Sequence, residues 1–282
     1  MALPTFMIVG AQKSGTTWAF ECLNEHPQVC MPTFKEVHFF DRPEDSRFSR
    51  RDKGTDWYLS LFADDDGCLA RGEATPDYMF YPHVPAELHA LNPALRIVFM
   101  LREPGERAYS AYWMQRRHRT DPISFAEELA REPDHVERGL YHRQIARFLA
   151  LFPREQLRIY IYEEATADPA AFMADLFAFI GVDPSFRPAA LNRRVGGTRR
   201  LTPLAGFVLY KVISPIINHP LVLPAWRWLR RNVVPPAAPA DSGERGYPPM
   251  TPEDRSLLDA RFREENEQLF VLLGRDVPAW RH

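Results

Sequence analysis

The stretch TFMIVGAQKSGTTWAFECLNEHP, residues 5–27, constrains the fold of this chain more than any other. A short apolar run leads into a loop holding Gly10, Lys13, Gly15 and two threonines, and an amphipathic run follows. Strand, small-residue loop and helix in that order describe a phosphate-binding loop. The lysine, however, precedes the second glycine, where the pattern G-x-x-x-x-G-K-[ST] puts it after. Backbone N–H groups of Ser14, Gly15, Thr16 and Thr17 at a helix start can converge on an anion, and the helix dipole favours negative charge there. The hydroxyls of Ser14, Thr16 and Thr17 add donors, and Lys13 adds a compact charge for an oxygen that becomes negative. A glycine-containing strand–helix turn with no ligand is the other reading of these residues.

Further strand-like runs occupy residues 68–73, 97–101 and 157–162 after the first at 6–9, and helical patterns lie at 16–25, 84–91, 104–118 and 139–151. Strands alternating with helices predict an α/β fold of three layers, a central and mainly parallel sheet with helices on both faces. ADPAAFMADLFAFIGV is punctuated as a helix, with Asp168 as cap, Pro169 in the first turn and Gly181 at the stop. Thr251, Pro252 and Gly274 mark a second such helix over 252–273, and Leu258, Phe262, Leu269 and Leu273 give it a core-facing side. Residues 198–250 are apolar with interspersed arginines and then too rich in proline and glycine to be regular. The expectation is one domain over 1–282 with a lid-like insertion at about 198–250.

Composition closes several alternatives. A net charge of -2 gives no bias toward nucleic acid or anionic membrane, so a basic site must be local. The 35 basic residues include only four lysines, Lys13, Lys35, Lys53 and Lys211, which singles out the one in the glycine loop. Cys22, Cys30 and Cys68 are odd in number and without C-x-x-C spacing, so reduced thiols and a cytoplasmic setting are expected. The nine histidines are scattered, and no metal is expected. No signal-peptide pattern opens the sequence, and no run of about 18 apolar residues spans a membrane.

Two more stretches carry chemistry. RIVFML ends in Arg102, where a nucleotide triphosphatase strand typically ends in an aspartate that helps hold magnesium. An arginine there suits a phosphate neutralised without metal, with Ser110 about two helical turns on; an ion pair with Glu103 or Glu106 is the alternative. In KEVHFFD, residues 35–41, an extended backbone would put Glu36, His38 and Phe40 on one side. A carboxylate and an imidazole on one face can move a proton; a half-buried strand with one satisfied histidine is the plainer reading.

Together FMIVGAQKSGTT, HPQV, KEVHFFD, GEATPDY, LREPGERAYSAYW and LLGRDVPAW resemble the sulfotransferases that use 3′-phosphoadenosine 5′-phosphosulfate (PAPS), with the heparan sulfate O- and N-sulfotransferase branch and its bacterial relatives nearest. The likeness covers residues 5 to 181 and, more loosely, the terminal helix. It implies a fold like that of the P-loop NTPases, and a loop that holds a phosphosulfate rather than a magnesium-bound triphosphate. By this resemblance Lys13, Ser14, Gly15, Thr16 and Thr17 cradle the 5′-phosphosulfate, and Arg102 and Ser110 bind the 3′-phosphate. Glu36 is implied as the base, with His38 in the acceptor site and Asp41 orienting a basic neighbour. The expected reaction is sulfuryl transfer to a hydroxyl of a small molecule, glycolipid or saccharide.

Three departures stand out. Ala74 replaces the lysine of the family's E-K-T-P motif, which weakens the case for a highly sulfated acceptor. SGERGYP keeps Arg245 for the nucleotide loop but puts Gly243 at its lysine position. The disulfide and membrane anchor of a Golgi enzyme are not expected, in keeping with a bacterial cytoplasmic protein. Residues 201–231, with Trp226 and Trp228 beside Arg227, Arg230 and Arg231, read as a lid, a membrane-surface contact or a packed helix pair. A P-loop kinase and a non-catalytic module binding adenosine bisphosphate or a glycan are the competing classes.

Overall fold

In the computed structural model, the described residues are 2–41, 49–62, 67–116, 123–192 and 247–281. Five strands form one all-parallel sheet in the order β2-β3-β1-β4-β5: β1 (Phe6–Gly10), β2 (Val29–Cys30), β3 (Ala70–Ala74), β4 (Arg96–Leu101) and β5 (Leu157–Ile161). β1 is central, with Phe6 level with Gly72 on one side and Arg96 on the other. Such a strand is buried on both faces, and all five of its residues are.

Side chains that alternate along a strand divide the core into two layers. Phe6, Ile8, Val98 and Met100 face α1 (Thr16–Glu25) and α9 (Pro169–Ile180), meeting Trp18, Leu23, Phe172 and Leu176. Met7, Val9, Ile97 and Phe99 face the other way, onto α3 (Val84–Leu91), α7 (Tyr141–Leu149) and the last long helix, α10 (Pro252–Leu273). A third cluster joins α4 (Pro104–Arg116) to α10 through Tyr109, Tyr112, Leu258 and Phe262. This is the three-layer architecture expected. The shorter helices α2 (Gly54–Ser60), α5 (Phe125–Arg131), α6 (Asp134–Glu137) and α8 (Tyr162–Ala167) complete the order, and the pattern reading passed over all four.

Punctuation residues act as read. The Asp168 carboxylate accepts from the amide of Ala171, and Gly181 closes α9 at φ 84°. Thr251 accepts from the amide of Asp254, and Gly274 stops α10 at φ 67°. Neither stop suits a residue with a Cβ.

The cysteine expectation is corrected. Cys30 and Cys68 form a disulfide with Cα atoms 5.7 Å apart, while Cys22 is buried and outside it. β2 lies beside β3, with Val29 level with Ala70, so the pairing of two short strands brings the cysteines together. Sequence spacing could not show this, because it depends on which strands are neighbours. No helix among the described residues is long and apolar enough to cross a membrane. The lid-like insertion, with Arg245, lies outside the described residues apart from its last few positions.

Candidate active site

The chain leaves β1 toward β2 and β3 on one side and later returns to β4 and β5 on the other. The crevice beyond the carboxyl end of β1 is therefore where the winding reverses, the usual ligand position in such sheets. Residues 11–15 form the loop there. The amide of Ala11 donates to the Met100 carbonyl of β4 (2.7 Å), and the amide of Met79 donates to the Val9 carbonyl (2.8 Å). The start of the loop is thus tied to β4, and the end of β1 to the segment that follows β3.

Helix α1 begins at Gly15, whose φ of 85° leaves its backbone left-handed; no side chain caps this end and no acidic residue lies in its first turn. The first amides of a helix have no intrahelical acceptor, so this end offers donors and positive dipole to whatever lies in front of it. Ser14 is fully buried, and among the described residues its hydroxyl has no hydrogen-bond partner. A buried hydroxyl without a partner costs free energy unless a ligand or water supplies one. Both features fit a phosphosulfate.

α4 begins differently. Glu103 turns its carboxylate onto the amides of Gly105 and Glu106, each at 2.7 Å, and closes that end to anions. Only one of these two neighbouring helix starts presents open donors.

Arg102, at the end of β4, donates to the Glu106 carboxylate at 3.0 Å. The ion-pair alternative is therefore realised, and the guanidinium is mostly buried rather than on the surface. Glu106 also accepts from Arg255 of α10 (2.8 Å), so the carboxylate keeps a second cation if Arg102 turns away. Glu106, Ser110 and Met114 fall four residues apart and share one stripe of α4. Ser110 is buried, and the ammonium of Lys13 lies 3.6 Å from the Met114 sulfur. That stripe connects Arg102, Ser110 and Lys13. Tyr162 adds a link no motif signalled: a Cβ placed on Gly15 would meet its ring at 2.8 Å, and the Arg102 guanidinium carbon lies 5.6 Å from the ring centre.

The segment 35–41 sits beyond the end of β3, where the amide of Glu36 donates to the Ala74 carbonyl (3.1 Å). It is not the extended strand expected. Glu36 and His38 have φ of 64° and 53°, a left-handed backbone that costs a non-glycine residue about 1–2 kcal/mol. The two side chains nevertheless meet, Glu36 Oε2 lying 3.6 Å from His38 Nε2. His38 Nδ1 lies 2.6 Å from the Asp41 carboxylate, and the Lys35 ammonium donates to Glu36 Oε1 at 2.5 Å. Burial pushes the Glu36 carboxyl up, but hydrogen bonding from His38 and the Lys35 charge outweigh it and hold the group down at about 2. It is ionised at neutral pH, so its oxygens are free of a proton of their own.

His38, Asp41 and Asp77 bring three ligand-type atoms within 4.8 Å of one another. Asp77 already accepts from Arg138 at 2.7 Å, and His38 is engaged with Asp41, so the group reads as a charge network. Ala74 itself is fully buried against the α1 layer. The structure describes every expected site residue except Arg245.

Comparison with known proteins identifies the family. The family model described as sulfotransferase domain matches residues 3–195. The chain is 28% identical over 309 aligned residues to human bifunctional heparan sulfate N-deacetylase/N-sulfotransferase 3, covering 99% of this chain and 31% of that protein. It therefore spans about a third of the length of that relative. A mouse heparan sulfate glucosamine 3-O-sulfotransferase 5 is 25% identical, with 98% of this chain and 73% of the relative covered. The crystal structure of a sulfotransferase from Alicyclobacillus acidocaldarius is 30% identical, covers both chains completely and superposes with a TM-score of 0.74.

Proposed function

We propose, because the chain belongs to the sulfotransferase family, that it moves the sulfuryl group of PAPS to an acceptor hydroxyl, with a saccharide as the favoured acceptor class ahead of a glycolipid or small molecule. The observation that carries the donor half is the uncapped start of α1 with, in front of it, the Ser14 hydroxyl that has no partner among the described residues. Lys13, Ser14, Gly15, Thr16 and Thr17 hold the 5′-phosphosulfate. Arg102 and Ser110 hold the 3′-phosphate, with Arg102 exchanging its Glu106 partner for the ligand while Arg255 stays on Glu106. Arg245, which lies outside the described residues, is assigned to the same nucleotide by the family resemblance alone.

In this reading the acceptor oxygen attacks sulfur as Glu36 takes its proton. The S–O bond to the 5′-phosphate breaks, the new O–S bond forms, and Lys13 stabilises the charge left on the phosphate oxygen. His38 fixes the carboxylate and Asp41 fixes His38. Saccharide relatives support the acceptor class, while Ala74 argues for one less sulfated than theirs. The same proposal treats the chain as a single domain acting without a metal.

The test is titration of adenosine 3′,5′-bisphosphate in a calorimeter, followed by transfer of labelled sulfate from PAPS to a panel of saccharides, glycolipids and small alcohols. Binding heat and transfer to at least one hydroxyl are expected. Folded protein giving no heat with the bisphosphate overturns the donor assignment; heat without transfer across the panel favours a non-catalytic binder.

A further inference from the structure

Glu73 lies outside every role assigned so far, yet it is a carboxylate at the next-to-last position of β3 with 1% exposure. Three hydroxyls converge on it. Those of Tyr58 and Tyr78 donate to Oε1, each at 2.9 Å, and that of Thr75 donates to Oε2 at 2.6 Å. Two of these oxygens also accept. The amide of Val37 donates to Thr75 Oγ1 (2.9 Å), and the amide of Phe39 donates to the Tyr78 hydroxyl (3.2 Å). A backbone N–H can only donate, so the Thr75 and Tyr78 hydroxyls must send their own protons elsewhere. Glu73 receives both.

Val37 and Phe39 flank His38, and Glu36 precedes Val37. The side chains of Val37 and Phe39 are buried, at 0% and 5% exposure, so residues 37 and 39 are fixed inward, while Glu36 is half-exposed and His38 mostly buried beside it. From the other side, the Arg50 guanidinium donates to the carbonyls of Glu36 (3.1 Å) and Val37 (2.7 Å), and the Arg50 amide donates to that of His38 (3.1 Å). Left-handed backbone at two non-glycine residues persists only where the surroundings over-determine it. These bonds do that.

We infer that Glu73 is a positioning residue for the reaction proposed above: by orienting the hydroxyls of Thr75 and Tyr78 it clamps the amides of Val37 and Phe39, and so holds Glu36 and His38 together beside the acceptor. Glu73 touches neither substrate in this account. Its effect reaches the reaction through the backbone of residues 36–39. The inference rests on the sulfotransfer reading for its kinetic part, but not for its structural part.

The experiment uses the full chain in four variants. Thr75→Val keeps shape and removes the hydroxyl, Thr75→Ser restores it, Tyr78→Phe removes the second hydroxyl, and Glu73→Gln replaces one acceptor oxygen by a donor. Turnover with saturating PAPS and acceptor is expected to fall about 10-fold or more in Thr75→Val, Tyr78→Phe and Glu73→Gln, because small misplacements of a reacting group are costly. Affinity for adenosine 3′,5′-bisphosphate should stay within about twofold, and Thr75→Ser should recover most of the rate. Amide hydrogen exchange should quicken at Val37 in Thr75→Val and at Phe39 in Tyr78→Phe.

A residue that served only folding would lower the melting temperature while leaving turnover per folded molecule intact. Wild-type turnover in folded Thr75→Val and Tyr78→Phe therefore overturns the inference. Should Thr75→Val fail to fold, Tyr78→Phe and Glu73→Gln decide by the same readings. A wild-type protein that transfers no sulfate removes the functional reading alone. In that case unchanged exchange at both amides overturns the clamp, and quickened exchange sustains it.

Discussion

Glu36 shows how neighbours set the character of a single group. Lys35 and His38 hold its carboxyl at about 2, against burial, so its charge is present throughout the neutral range. Folding gains from this ionisation above the ordinary carboxyl value of 4.5 and loses the gain as pH falls through about 2. Replacing Lys35 by Met removes one of the two downward influences. The Glu36 titration followed by carboxyl NMR is then expected to move up toward 4.5, and an unmoved midpoint would show that the ammonium does not matter. Glu36→Gln keeps the shape and removes the base. Turnover should fall about 10²-fold or more with bisphosphate affinity unchanged. A wild-type rate would take Glu36 out of the reaction. The pairing of Glu36 with His38 was legible from residues 35–41, although the backbone behind it was not. Alternation along a strand and two left-handed turns both bring residues 36 and 38 to one side, and only tertiary bonds from Arg50, Thr75 and Tyr78 select the second.

Among the elements, the unit made of β1, its loop and α1 was the easiest to read. Its apolar run, glycines and amphipathic helix are local signals, and Phe6–Gly10 and Thr16–Glu25 emerged within a residue of expectation. The same holds for α9 and α10, whose caps and stops are written in adjacent residues. Short elements such as β2, α2 and α6 carry too few residues for a period to show, and they form because longer neighbours leave them a place. Gly15 makes the loop testable. An added Cβ would meet a left-handed φ of 85° and the Tyr162 ring at 2.8 Å. Gly15→Ala should therefore lose about 1–2 kcal/mol of stability or more, read by urea unfolding, together with most of the bisphosphate binding heat. Full binding in the folded variant would place the ligand elsewhere.

Across the whole molecule, the parallel sheet brings the ends of β1, β3 and β4 to one edge, so residues about 90 positions apart in sequence meet there. The disulfide belongs to this scale, because it joins residues 38 apart and encloses the entire segment bearing Glu36, His38 and Asp41. In the chain-entropy account such a closure stabilises by about 4 kcal/mol. Urea unfolding with and without reductant should show a shift of that order, and coincident curves would mean that the cross-link contributes little. The cytoplasmic expectation, which drew on reduced thiols, loses that support. One consequence of the stripe on α4 remains. Glu106 and Met114 stand about 12 Å apart along its axis, with Arg102 beside the first and Lys13 beside the second. In the proposed reading, a stiff rod of fixed pitch between two cations acts as a calliper: an adenosine carrying a single phosphate would reach one jaw only and is expected to bind more weakly than the 3′,5′-bisphosphate.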